Sequence, residues 1–175
     1  LEGKGGVRFD SVDFTYPDGT RKVIDSFSHD FRPGSLTAVV GETGIGKSTL
    51  IKLLLGVFTP QKGEIFLQMS DKRLNVGKFS RPLFSYVPQG NAIFSGTVAD
   101  NLRIVRPEAT DEELIEALKT ADAWSFIQEL PLGLYTEISE KGVNFSEGQV
   151  QRISIARAVL RDAPIIVMDE ATSAL

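Results

Sequence analysis

The residues Gly41-Glu42-Thr43-Gly44-Ile45-Gly46-Lys47-Ser48-Thr49 satisfy the pattern G-x-x-x-x-G-K-[ST]. Glycines at this spacing let successive backbone N–H groups turn inward around phosphate oxygens, so the loop reads as an anion nest. Lys47 is expected to reach the β- and γ-phosphates, and the Ser48 hydroxyl to ligate Mg²⁺. A helix that starts there aims its positive end at the same charge. Far downstream, the apolar run Ile165 to Met168 delivers Asp169 and Glu170 to a strand end, where open α/β sheets place ligands. Asp169 is expected to hold the metal through a water, and Glu170 to accept a proton from an attacking water. Together these residue types imply binding and hydrolysis of a magnesium nucleoside triphosphate.

The surrounding pattern supplies elements to position them. Val7 and Phe9, then Val12, Phe14 and Tyr16, alternate with polar residues, and the slip in register between Phe9 and Val12 predicts a bulge. Pro17, Asp18 and Gly19 signal a turn, after which Val23, Ile24, Phe27, His29 and Phe31 suggest further antiparallel strand. Leu36 to Val40 is nearly all apolar and small, the texture of a parallel strand buried on both faces. Lys47 to Leu55 reads as a helix closed by Gly56. Glu64 to Leu67 and Phe84 to Val87 are strand candidates, and the polar stretch Asp71 to Lys78 reads as a loop. Thr97 with Asp100, Thr110 with Glu113 and Ser146 with Gln149 have capping-box spacing, which predicts three helix starts. Leu114, Ile115, Leu118 and Ala121 share one helix face, and the last helix turns Ile153, Ala156, Val159 and Leu160 toward a core. The expected fold class is α/β: a mostly parallel core sheet, an N-terminal antiparallel β subdomain and an inserted α-helical subdomain at about 92–149, all within one domain spanning 1–175.

Bulk composition narrows the partners. A chain of 175 residues that is 42% hydrophobic has enough apolar content for a core. Its 19 basic and 23 acidic residues leave a net charge of −4, which gives no general attraction to nucleic acid or anionic lipid. The absence of cysteine excludes disulfides and thiolate metal sites. No apolar run reaches the roughly 20 residues that cross a bilayer.

Further stretches resemble one family. Asn144-Phe145-Ser146-Glu147-Gly148-Gln149, followed by Val150-Gln151-Arg152, is similar to the signature sequence of ATP-binding cassette (ABC) proteins. Tyr16, in Phe14-Thr15-Tyr16-Pro17, resembles the family's adenine-stacking aromatic. Gln89, in Val87-Pro88-Gln89, resembles its glutamine that contacts Mg²⁺ and water. Glu140-Lys141-Gly142 and Ser95 to Leu102 resemble segments of exporter-type members, near the intracellular loops and coupling helix of the membrane domain. The resemblance runs from about Val7 to Leu175.

It implies a nucleotide-binding domain of an ABC exporter on the cytoplasmic face of a membrane, joined to transmembrane domains, with no nucleic acid as partner. Two copies would close head to tail around two ATP molecules. Ser146, Gly148 and Gln149 would then meet the γ-phosphate held by the partner copy. Within one copy, Tyr16 and residues Gly41 to Thr49 would hold ATP, Ser48, Gln89 and Asp169 would hold the metal, and Glu170, Gln89 and Lys47 would serve catalysis. A soluble cassette ATPase acting on nucleic acid or ribosomes, and a regulatory module without turnover, are the alternative readings.

The sequence departs from the family in two places. Glu147 stands where the signature most often has glycine, which brings a carboxylate near the expected partner phosphate and is expected to weaken or tune closure. The only histidine, His29, precedes the phosphate loop and is expected to be a strand position, so the family's γ-phosphate-contacting histidine is expected beyond Leu175, in a C-terminal part not in this sequence. Replacing Lys47 by Ala is expected to abolish ATP binding measured by equilibrium titration, and unchanged affinity would defeat the loop assignment.

Overall fold

The computed structural model describes residues 6–69, 72–90, 93–138 and 145–169. They group into two compact units, Leu1–Pro82 and Leu83–Leu175. The fold is α/β, with an antiparallel β subdomain in the first unit and helices grouped in the second.

In the first unit, β1 (Gly6–Thr15), β2 (Lys22–Phe31), β3 (Lys62–Met69) and β4 (Lys72–Asn75) form an antiparallel sheet in the order β2-β1-β3-β4. The central strand β1 buries Val7, Phe9, Val12 and Phe14, as the alternation requires. The bulge expected between Phe9 and Val12 is present: pairing to β2 slips there and Ser11 has φ 52°. It constrains the neighbouring strand as well, because a side chain at Gly63 (φ 73°) would run into the Asp10 and Ser11 carbonyl oxygens. Between the strands, Asp13 accepts hydrogen bonds from the Ser26 amide at 2.7 Å and the Lys22 ammonium at 3.1 Å. Among the described residues, the α-helix of this unit, α1 (Lys47–Leu54), buries Leu50 and Leu53 and ends at Gly56 with φ 63°, the C-terminal glycine the sequence implies.

Two readings in this unit need correction. Leu36 to Val40 forms no strand, and Leu36 and Val40 are 100% and 85% exposed. An apolar run becomes a buried parallel strand only where neighbouring strands satisfy its amides and helices cover both faces. Within residues 6–82 the sheet is antiparallel, and no strand pairs with this run. The stretch read as a loop contains the strand β4. Its residues are polar because it is a short edge strand whose pairing to β3 comes from the backbone, with Arg73 bound to Glu64 and lying over the Phe66 ring.

In the second unit, β5 (Phe84–Val87) is followed by the short strand β6 (Gly96–Thr97), then α2 (Val98–Arg103), α3 (Asp111–Thr120), α4 (Trp124–Ile127), the short strand β7 (Glu137–Ile138), α5 (Glu147–Leu160) and β8 (Ile165–Met168). β5 and β8 pair in parallel, and β6 pairs with β7 in antiparallel fashion. All three expected capping boxes form, at Thr97 with Asp100, Thr110 with Glu113 and Ser146 with Gln149. Leu102, Leu114, Leu118, Ile127, Ile153 and Leu160 share one core against which α2, α3, α4 and α5 pack. Asn101 is buried at its edge, exchanging hydrogen bonds with Phe94 and donating to the Thr97 carbonyl. β8 is less covered than its apolar sequence implies. Val167 is buried, whereas Ile166 and Met168 on the opposite face are each 45% exposed.

Two outcomes follow from this packing. Leu118→Ala, at a fully enclosed position, is expected to lower unfolding stability by about 2 to 5 kcal/mol in denaturant titration. The Ser26 amide, and after it the Lys22 ammonium, hold the Asp13 carboxyl below its ordinary value. A group with a lowered native pKa contributes stability that is complete above the unfolded value and lost as pH falls through the native one. Stability measured below about pH 4 should therefore fall more steeply with acid in the native protein than in Asp13→Asn.

Candidate functional site

Helix starts leave amides without partners inside the helix, and side chains commonly cap them. α2, α3 and α5 follow that rule with Thr97, Thr110 and Ser146. α1 does not: its N-cap is Gly46, which carries no side chain, and its first turn holds no acidic residue. Gly46 lies at φ 114°, which favours glycine, and a Cβ there would crowd Val23 Cγ1 at 3.1 Å and Ile24 Cδ1 at 3.2 Å. Gly44 also takes a positive φ, 84°, which lets the chain reverse into the helix.

Lys47 opens α1 and folds back over the loop, donating from Nζ to the carbonyl oxygens of Gly41 at 2.8 Å and Glu42 at 3.0 Å. Residues 41–45 are exposed, Gly46 to Ser48 are half-buried and Thr49 is buried. A solvent-open loop thus brings an ammonium and a helix N-terminus to one place. That donor set suits a polyphosphate.

Tyr16 belongs to the same region. Its hydroxyl lies 2.9 Å from Thr49 Oγ1 on α1, and its ring meets Phe14 and Phe58 at 80° and 87°. The structure therefore brings Tyr16 to the helix that carries Lys47 and Ser48. His29 occupies an exposed position on β2 between Phe27 and Phe31, as expected.

In the second unit, parallel pairing places β5 and β8 side by side with Val87 opposite Met168. Gln89 and Asp169 therefore leave the same end of two adjacent strands, the end at which open α/β sheets carry their sites. The Asp169 amide donates to the Val87 carbonyl at 3.0 Å, and the Tyr86 hydroxyl donates to Asp169 Oδ2 at 3.4 Å. Burial, and then the Asp169 carboxylate, raise the Tyr86 phenol above its ordinary value, so it stays a donor. Sequence reasoning missed Tyr86. The available signal was its place on β5, which β8 must flank for Asp169 to reach Gln89. Asp169 is 9% exposed, Gln89 is exposed, and Glu170 lies outside the described residues.

Ser146 and Gln149 cap α5 reciprocally. The Gln149 amide donates to Ser146 Oγ at 3.3 Å, and the Ser146 amide donates to Gln149 Oε1 at 2.8 Å. Glu147 is the first residue of the helix and exposed. Asn144 and the Glu140-Lys141-Gly142 segment lie outside the described residues.

Comparison with known proteins adds an independent observation. The family model described as ABC transporter matches residues 24–173. An uncharacterized ABC transporter ATP-binding protein of Sinorhizobium fredii is 42% identical over 99% of this chain and 30% of its own length. The ATP-dependent lipid A-core flippase of Methylobacillus flagellatus is also 42% identical, over 98% of this chain and 30% of its own. The beta-(1→2)glucan export ATP-binding/permease protein of Brucella suis is 42% identical over 98% of this chain and 28% of its own. Among solved structures, a bacterial Atm1-family ABC exporter with ATP bound superposes with a TM-score of 0.88 at 35% identity, covering all of this chain and 31% of that one. The chain thus spans about 30% of the length of these relatives. Because the family match runs from β2 through the glycine-rich loop and past Asp169, this chain belongs to the ABC transporter family.

Proposed function

We propose that this chain is the ATP-binding and ATP-hydrolysing domain of an ABC exporter. In this reading it works on the cytoplasmic face of a membrane, coupled to transmembrane domains, and closes head to tail with a second nucleotide-binding domain. The observation that carries the reading is the loop before α1, where a glycine cap and the Lys47 ammonium stand ready for phosphate. The relatives support the transport part: two are named for lipid A-core flipping and glucan export, and the similar solved structure is an exporter with ATP bound. They do not favour a soluble ATPase acting on nucleic acid. Among the described residues, no helix is long and apolar enough to cross a membrane, so the reading assigns that task to partner domains.

ATP is the substrate. Lys47 neutralises its β- and γ-phosphates, the amides from Gly44 to Ser48 donate to their oxygens, and Tyr16 stacks on the adenine. Ser48, Gln89 and Asp169 offer hydroxyl, amide and carboxylate oxygens, the hard donors that magnesium takes. When bound, Mg²⁺ would supply charge neutralisation at the phosphate oxygens. Glu170 accepts the proton of the attacking water, and Gln89 orients that water. In trans, the start of α5 presents Ser146, Gly148 and Gln149 to the partner's γ-phosphate. The Ser146 hydroxyl accepts from Gln149 and keeps a proton to donate.

In the full-length protein, Glu170→Gln is expected to keep ATP affinity while reducing steady-state phosphate release by about a hundredfold or more. Turnover at the unsubstituted rate would remove Glu170 from catalysis. Glu147→Gly is expected to tighten ATP-driven association of two copies, read by analytical ultracentrifugation, because it removes a carboxylate from the helix end that faces phosphate. Weaker association would reverse the assigned role of Glu147.

A further inference from the structure

Tyr16 is held by more of the first unit than stacking on a base requires. The backbone just before it is clamped: the Gln61 side chain accepts from the Thr15 amide at 2.8 Å and donates to the Thr15 carbonyl at 2.6 Å. Just after it, Pro17 restricts the chain, and the Tyr16 carbonyl accepts from the Gly19 amide at 2.9 Å to close a turn. Phe14 and Phe58 confine the ring at nearly right angles, so neither takes up a parallel stack on it. One polar link remains, from the phenol to Thr49 at 2.9 Å. Thr49 is 5% exposed and sits in the first turn of α1, two residues past Lys47.

A tyrosine needs no hydroxyl to stack on a purine, because phenylalanine offers a ring of the same size. The phenol therefore has another task, and its partner shows which. We propose that Thr49 is a positioning residue that acts on the nucleotide through Tyr16, fixing the ring at a set distance from the phosphate loop so that base and triphosphate are recognised as one ligand. This rests on the nucleotide-binding reading above and deepens it. Loss of the link leaves the ring held by Phe14 and Phe58 alone, no longer tied to α1, while the loop, built from backbone and Lys47, stays as it is. Affinity for a nucleotide should then fall without loss of affinity for a bare polyphosphate chain. Because the two hydroxyls form one bond, removing either should have the effect of removing both.

The test uses the full-length protein and two probes, MgATP and magnesium tripolyphosphate, titrated against the native protein, Tyr16→Phe, Thr49→Val, the double variant and Thr49→Ser. Tyr16→Phe and Thr49→Val should each weaken ATP about three- to tenfold, the worth of one hydrogen bond. The double variant should be no weaker than either single one, Thr49→Ser should recover native affinity, and tripolyphosphate should bind Tyr16→Phe as tightly as the native protein. Should Thr49→Val not fold, Tyr16→Phe with the two probes decides the matter. Equal losses for ATP and tripolyphosphate in Tyr16→Phe would mean that the hydroxyl pair serves the phosphates and not the base, and would overturn the proposal. Additive losses, or no loss in Tyr16→Phe, would overturn it equally. If the native protein fails to bind tripolyphosphate, or binds it unchanged after Lys47→Ala, the phosphate-loop reading itself falls and takes this inference with it.

Discussion

Backbone amides at the start of a helix must find acceptors, and at α1 the chain declines to supply one from a side chain. The same chain caps α2, α3 and α5 with threonine or serine, whereas α1 at Gly46, like the single turn α4 at Ala123, receives no side-chain cap. Gly46 enforces the omission at α1 in two ways: its φ of 114° disfavours any residue with a Cβ, and Val23 and Ile24 of β2 would have to shift to admit one. The antiparallel sheet thus reaches into the loop by sterics. With Lys47 bent over the Gly41 and Glu42 carbonyls, the helix start and the ammonium add their positive charge in one small volume. That addition is the physical basis of the proposed phosphate site.

The second unit solves a different problem, that of aiming acidic and amide side chains from a strand end. Parallel pairing of β5 with β8 sets Val87 against Met168, and the turn beyond each strand then carries Gln89 and Asp169. The Asp169 amide is tied to Val87 and its carboxylate receives the Tyr86 phenol, so its direction is constrained before any ligand arrives. The long helix α5, packed into the core through Ile153 and Ala156, gives the Ser146 end a rigid base.

Local chemistry was the legible part of this sequence. Capping boxes, the glycine after α1 and the β1 bulge all appeared where residue types demanded them, because each depends on neighbours a few positions away. The glycine turn before α1, with Gly44 and Gly46 at positive φ, was legible for the same reason. What depends on distant pairing was less so. Leu36 to Val40 has the composition of a buried strand, yet composition supplies no ladder partner, and the run is exposed. β4 has the composition of a loop, yet β3 pairs with it through the backbone. Tyr86 beside Asp169, and Thr49 beside Tyr16, join residues 83 and 33 positions apart, and no periodicity in the sequence announces such contacts.

The central claim is that the amides around Gly44 to Ser48 are the ones that receive phosphate, and hydrogen–deuterium exchange on the full-length protein reads those amides directly. Saturating MgATP should slow exchange in peptides covering residues 41–50 more than in peptides covering β3 and β4, and magnesium tripolyphosphate should produce the same local slowing. If ATP binds while exchange across 41–50 stays unchanged, phosphate is held elsewhere and the account is wrong.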